Sequence, residues 1–162
     1  MQLWKIFKLG KAIGDNDASQ IEILCTDALS RNPKDYMALT QLANMYWRNA
    51  LDEDAQKCAL RALEIEPVNF YALRIAACIY AKRDEGDLAY HYAKKLIIAA
   101  DADTVIKPFT KLTTSLLKQF WFVPKLHRIE TNAVRDLESR SKWIAWANDY
   151  VSRYESRGTY AP

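Results

Sequence analysis

A short phrase recurs along this chain at a fixed distance of 34 residues. The segment ALSRNP ends at Pro33 and the segment ALEIEP ends at Pro67. On the same spacing, Tyr46 is followed by Tyr80 and Ala59 is followed by another alanine. A period of this size indicates stacked copies of one supersecondary unit, because each copy needs its neighbours to bury its apolar face. The repeat therefore limits the fold more than any other sequence feature.

Each period has the pattern of two helices joined by a turn. The first helix carries apolar residues at steps of three and four, which places them on one face: Leu39, Leu42, Ala43 and Tyr46. The second carries alanines on one face, and small residues let two helix backbones approach closely: Ala55, Ala59 and Ala62. Turns are predicted at 49–52 and 84–87, with Asp52 and Asp87 as N-caps. Only four glycines and five prolines are present, which favours helices over an all-β fold rich in tight turns.

Residues 36–67 resemble a tetratricopeptide repeat, in which Leu, Ala, Tyr, Ala and Pro stand at fixed offsets. Residues 70–101 match the same pattern but end in Asp101 instead of proline. Residues 3–33 match less closely, and their alignment requires one deletion in the loop between the two helices. The resemblance implies an all-α fold, a right-handed α-α superhelix (tetratricopeptide solenoid) with three helix pairs within 1–103.

The 34-residue pattern stops after residue 103, and 104–162 are predicted to form C-terminal capping or docking helices of the same compact domain. One helix is expected over 104–122, and Pro124 precedes another that runs from about 125 to about 154. Two aromatic groups in this part form a candidate second contact surface: Phe120, Trp121, Phe122, Trp143 and Trp146. Packing onto the last repeat is favoured. A partner or homodimer contact, or a membrane-surface helix, are the alternatives.

The resemblance also implies a concave groove lined by the first helix of each pair, where such proteins hold a peptide or a helix. The resemblance places these residues at groove positions: Trp4, Phe7, Lys8, Lys11, Met37, Thr40, Gln41, Asn44, Trp47, Arg48, Tyr71, Arg74, Cys78 and Lys82. Asn44 is expected to bond the backbone of the bound segment. The basic side chains predict a protein or peptide partner that is acidic. A solvated helix face is the alternative that the sequence leaves open.

Features of a catalytic or metal site are missing from the sequence. The two histidines, His91 and His127, belong to no cluster with metal-ligand spacing. No glycine-rich phosphate loop and no nucleophile elbow occur. Cys25, Cys58 and Cys78 lie in apolar contexts and are predicted to be reduced, buried residues. The chain is therefore predicted to be no enzyme and to need no cofactor and no metal.

Charge and hydropathy point to a cytoplasmic protein that does not bind nucleic acid. The net charge is +3, too small to indicate nucleic acid, although residues 107–162 carry ten Lys or Arg against five Asp or Glu. No apolar stretch approaches the ~18 residues that span a bilayer.

Two functions are consistent with these features. The favoured one is a protein–protein interaction module (an adaptor, assembly factor or chaperone) that holds a client in its groove. The alternative is a structural subunit that docks into a larger, membrane-associated or soluble complex through its aromatic and basic C-terminal helices.

Overall fold

The computed structural model describes residues 3–102 and 124–158, and within them every regular element is an α-helix. The helices are α1 (Leu3–Asp15), α2 (Ala18–Arg31), α3 (Tyr36–Arg48), α4 (Asp52–Ile65), α5 (Phe70–Lys82), α6 (Gly86–Ala102) and α7 (Pro124–Gly158). The prediction of an all-α fold is confirmed. The chain divides into two compact units, Met1–Tyr92 and Ala93–Pro162, and the boundary lies within α6.

The 34-residue period of the sequence is present in the backbone of the first unit. Helices α2, α4 and α6 begin at residues 18, 52 and 86, and α3 and α5 begin at 36 and 70. The same backbone hydrogen bond closes α1, α3 and α5: Asp17 N–H donates to the Ala12 carbonyl at 2.9 Å, Leu51 to Tyr46 at 2.9 Å and Glu85 to Tyr80 at 3.0 Å. The turn conformation is therefore repeated along with the side chains.

One residue in each of these turns has left-handed backbone geometry. The φ angles are 56° at Asn16, 59° at Ala50 and 57° at Asp84, at intervals of 34 residues. This conformation is typical of the residue that follows a helix, because it turns the chain while satisfying the last carbonyls. Asn and Asp adopt it readily, whereas at Ala50 the Cβ atom makes it costly. The turns therefore impose the geometry even where the residue type does not favour it.

Two details of the sequence reading are wrong. No deletion is needed in the loop after α1, because Asn16 and Asp17 occupy the same turn positions as Ala50 and Leu51. The N-cap of α4 is Leu51, and Asp52 lies in the first helical turn. Asp87 likewise lies in the first turn of α6, where its charge favours the helix dipole.

Burial follows the predicted helix faces in α3, α4 and α5. Leu39 and Leu73 are almost fully buried, and each contributes about 1.5–3 kcal/mol by leaving water. The alanines of α4 are completely buried where α3, α4 and α5 pack together: Ala55, Ala59 and Ala62. Small residues at this crossing allow the close backbone approach that the repeat pattern predicted.

The second unit contains the later part of α6 together with α7. Buried side chains lie on both helices: Ala93, Leu96, Ala99, Ala100, Ala147 and Val151. Lys94 on α6 and Glu155 on α7 form an ion pair with an N···O distance of 3.2 Å. In the part of the chain that the structure describes, none of the helices has the length and apolar character needed to cross a membrane.

Candidate functional site

A buried arginine connects α3 and α5. Arg74 Nη2 donates to Asn44 Oδ1 at 2.8 Å, and the guanidinium carbon lies 5.0 Å from the Trp47 ring centroid and 5.6 Å from the Tyr71 centroid. Only 6% of Arg74 is exposed. A cation held close to two aromatic rings is stabilised by their negative faces, and the interaction is stronger when water is excluded. Four residues that the sequence placed in the groove are thus brought into one cluster.

The N-terminus of α5 is fixed against α3 by a second polar contact. Asn69 caps α5, because its Oδ1 accepts from the backbone N–H of Ala72 at 3.1 Å. Its Nδ2 donates to Thr40 Oγ1 at 3.0 Å, and Thr40 Oγ1 donates to the carbonyl of Tyr36 at 2.7 Å. Asn69 contacts Thr40, and Arg74, which lies later in the chain, contacts Asn44, which also lies later. Helices α3 and α5 therefore run in the same direction.

The spacing of α3 places four side chains on the side that carries Asn44. Met37, Gln41, Asn44 and Arg48 follow one another at steps of four, three and four residues, which is one helix face. Met37 is 60% exposed, Arg48 is exposed, and Gln41 and Asn44 are half-buried. We refer to these four residues, together with Tyr71 and Arg74 of α5, as the α3–α5 face. It combines an apolar side chain, an aromatic side chain, two amides and two basic groups.

The basic side chains of the predicted groove do not all form an open positive surface. Arg74 is buried, and Lys82 forms an ion pair with Asp52 of α4. Arg83, the residue after Lys82, donates to Gln56 Oε1 at 2.8 Å. The positive charge of Lys82 is therefore offset locally, and Arg48 is the exposed basic group of the α3–α5 face.

The groove residues predicted on α1 belong to an earlier helix than the Arg74 cluster, which lies on α3 and α5. Lys11 is exposed and, with Lys8, lines a surface cavity of about 280 Å³ that Ala12, Asp15, Asp17 and Gln20 complete. Trp4 and Phe7 lie on α1, but their side chains fall outside the described residues. Asp17 also caps α2, accepting from the Gln20 N–H at 3.0 Å. Opposite charges line this cavity in equal number, so it selects no single sign of ligand.

The described half of the candidate second contact surface is an aromatic row on α7. The Trp143 and Trp146 rings meet edge to face with centroids 6.0 Å apart, and Trp146 stacks on Tyr150 at 5.5 Å. All three side chains are half-buried, next to the buried Ala147. Phe120, Trp121 and Phe122 lie outside the described residues. The row gives α7 an aromatic side whose rings support one another.

The cysteines have the character of buried, unreactive thiols. All three are free: Cys25 is buried, and Cys58 and Cys78 are half-buried. Burial raises the pKa of Cys25 to about 12 and that of Cys78 to about 11, with the nearby Arg74 charge lowering the latter slightly. Burial is also the largest cause that raises the pKa of Cys58. Among the residues whose placement is described, no three His, Cys, Asp or Glu side chains are grouped to hold a metal ion.

Sequence reasoning missed Asn69 as part of this arrangement. A signal was available, because Asp35 and Asn69 stand two residues after Pro33 and Pro67 and are both good N-cap types. Asp35 does cap α3, accepting from the Ala38 N–H at 3.1 Å. What the repeat could not show is that asparagine, unlike aspartate, has an N–H to spare for Thr40.

The sequence matches no protein-family model and has no significant match among curated proteins.

Proposed function

We propose that this chain is a tetratricopeptide-type solenoid whose α3–α5 face holds a segment of another protein. The observation that carries the proposal is the cluster of Asn44, Trp47, Tyr71 and Arg74, where two helices at equivalent places in the repeat meet. The cluster fixes polar and aromatic groups at a half-buried surface. Such pre-organised groups lower the ordering cost of binding.

The composition of the face supports a protein partner. The exposed Met37 offers an adaptable apolar contact, and Gln41 and Asn44 offer amides that can bond a backbone. Arg48 adds a positive charge that favours an acidic group on the partner. Nucleic acid fits less well, since its binding depends on several basic groups that contact phosphates. The role is therefore that of an adaptor, assembly factor or chaperone in the cytoplasm, without catalysis.

The experiment is affinity capture from extract of the native cells with two variants of equal charge change. Arg48→Glu reverses the exposed charge of the α3–α5 face, and Arg61→Glu makes the same change at an exposed position of α4. A partner retained by wild type and Arg61→Glu but lost by Arg48→Glu supports the proposal. Equal retention by both variants, together with retention by Asn44→Ala, contradicts it. Circular dichroism establishes that each variant is folded.

A second function is favoured by the aromatic row on α7. Trp143, Trp146 and Tyr150 are only half-buried, and a docked subunit would use such a row as a permanent contact. In that case Trp146→Ala abolishes capture of the assembly and Arg48→Glu does not. The expected result under the first proposal is the reverse, so one capture experiment separates the two functions.

A further inference from the structure

The sulfur-containing side chains of the first unit differ widely in exposure. Met37, in the first turn of α3, is 60% exposed, whereas Met45 on the same helix is 7% exposed. Cys25 is buried, and Cys58 and Cys78 are half-buried. Among the side chains that the structure describes, Met37 therefore carries the only sulfur that is largely exposed, and it lies on the α3–α5 face.

The chemistry of sulfur favours the same residue as a target for peroxide. A cysteine reacts through its thiolate, and burial raises the pKa of Cys25 to about 12 and that of Cys78 to about 11. Burial also raises the pKa of Cys58. The thioether of methionine has no proton to lose, so its reaction depends on access to the sulfur. The cysteines are thus protected, and Met37 is the accessible reductant.

We infer that Met37 is a reversible oxidation site that regulates the α3–α5 face, with hydrogen peroxide as the oxidant. The peroxide transfers one oxygen atom to the Met37 sulfur, its O–O bond breaks, and the remainder leaves as water. The sulfur is oxidised by two electrons and the peroxide is reduced by two. A thiol-dependent sulfoxide reductase reverses the step, since two thiols become a disulfide and the oxygen leaves as water. The inference rests on the proposed function of this face and adds its regulation.

Oxidation changes what Met37 offers to a partner. The reduced side chain is a flexible apolar group one helical turn from Gln41, on the face that carries Asn44 and Arg48. The sulfoxide is polar and accepts hydrogen bonds, so burying it against an apolar residue of the partner costs free energy. Because 60% of Met37 is exposed, the added oxygen can remain in water when the protein is alone. Oxidation is therefore expected to weaken binding and to leave the fold intact.

The first measurement is treatment of the full chain with dilute hydrogen peroxide, followed by proteolysis and mass spectrometry. Met37 is expected to gain one oxygen several times faster than Met45, because only Met37 is accessible in the folded protein. In urea the two rates should become equal. A methionine sulfoxide reductase with dithiothreitol should remove the oxygen from folded protein. Equal rates in the folded protein, or a sulfoxide that the reductase cannot remove, would overturn the inference whatever the protein binds.

The second measurement is binding to immobilised synthetic peptides that place leucine or phenylalanine beside glutamate. Oxidation is expected to weaken binding by the wild type about five- to twentyfold, the equivalent of losing most of the apolar contact of one methionine. Met37→Leu should bind equally before and after peroxide, because leucine is apolar, similar in volume and not oxidised. The matched control Met45→Leu should respond to peroxide as the wild type does. Met37→Gln should bind weakly without peroxide.

The outcomes separate failure of the inference from failure of the proposed function. If peroxide weakens binding by Met37→Leu as much as by the wild type, oxidation acts at another residue and the inference is wrong. If Arg48→Glu abolishes peptide binding but oxidised Met37 does not weaken it, the face is used and its regulation by Met37 is wrong. If no peptide binds the reduced wild type, the proposed function fails and the regulatory role fails with it. Urea unfolding of each variant, before and after peroxide, shows that the change is not a loss of fold.

Discussion

The contact between Asn44 and Arg74 makes a quantitative prediction about the stability of the first unit. The perturbation is a double-mutant cycle of Asn44→Ala and Arg74→Met, in which methionine keeps much of the apolar stem of the arginine. A hydrogen bond to a charged group contributes about 1.5–3 kcal/mol when little water can replace it. Arg74 is 6% exposed and the bond length is 2.8 Å, so we expect a coupling energy within that range.

The chain offers a matched control in an exposed pair on one helix. Arg31 Nη2 and Asp27 Oδ2 are 2.6 Å apart, but their side chains are 44% and 43% exposed. An exposed pair of this kind couples by about 0.3–0.5 kcal/mol, because water screens the charges and competes for the bonds. Added salt should weaken the Arg31–Asp27 coupling and leave the Asn44–Arg74 coupling unchanged, since Asn44 carries no charge.

The assay is urea unfolding followed by far-UV circular dichroism. The four proteins of each cycle are compared only if the free energy of unfolding depends on urea concentration with the same slope. Equal slopes are required because a change in slope reports a change in the unfolded or folded ensemble rather than in the contact. A coupling below ~0.5 kcal/mol for Asn44–Arg74, or one no larger than that of Arg31–Asp27, would refute the claim that burial strengthens this bond.

Three further predictions concern other parts of the fold. Leu73→Ala should lower the free energy of unfolding by about 2–5 kcal/mol because Leu73 is 1% exposed, whereas Ile98→Ala, at 65% exposure, should change it by less than about 0.5 kcal/mol in the same urea assay. Cys25 should resist a thiol reagent at pH 8 until the protein unfolds, because it is buried and its pKa is about 12; rapid labelling of native protein would contradict this. Tyr46 donates to Glu22 Oε1 at 2.8 Å, and burial and Glu22 raise its pKa from 10.0 to about 12. Folding favours the neutral phenol, so the contribution of Tyr46 to stability is complete below pH 10 and is lost as the pH rises towards 12. Over that window the free energy of unfolding should fall less in Tyr46→Phe than in the wild type. Equal losses in the two proteins would refute the assignment.

The helices were predictable because the period and the apolar steps act locally. Leu39 and Tyr46 lie on one face of α3, and Ala59 is completely buried, as their spacing indicated. Small and large residues at fixed steps leave few ways to pack two helices. The general architecture of α1–α5 could therefore be read from the sequence.

The cap of α4 could not be read in the same way. Asp52 is a good capping type, but the turn geometry set by Ala50 places Leu51 at the cap. Asp52 then pairs with Lys82 of α5, a contact that no local rule contains. Where backbone geometry and side-chain preference disagree, the repeated turn decides the position.

The burial of Arg74 could not be predicted from the sequence either. Its place in the repeat suggested an accessible groove charge, and the residue type is usually exposed. Burial became available because Trp47 and Tyr71 supply two aromatic faces and Asn44 supplies an oxygen. This combination depends on the relative placement of α3 and α5. Sequence reasoning identified the members of the cluster but not their mutual contacts.

Because left-handed geometry recurs at Asn16, Ala50 and Asp84, the segments between these turns are structurally equivalent units. A copy of residues 51–84 inserted after residue 84 would begin and end at equivalent turns, so an elongated protein could be assembled without designing a new junction. The added interface would nevertheless differ chemically. Cys78 occupies the place in the period that Asn44 has in the preceding copy, so the inserted arginine would meet a thiol instead of an amide. Extension would lengthen the scaffold without duplicating the Asn44 contact.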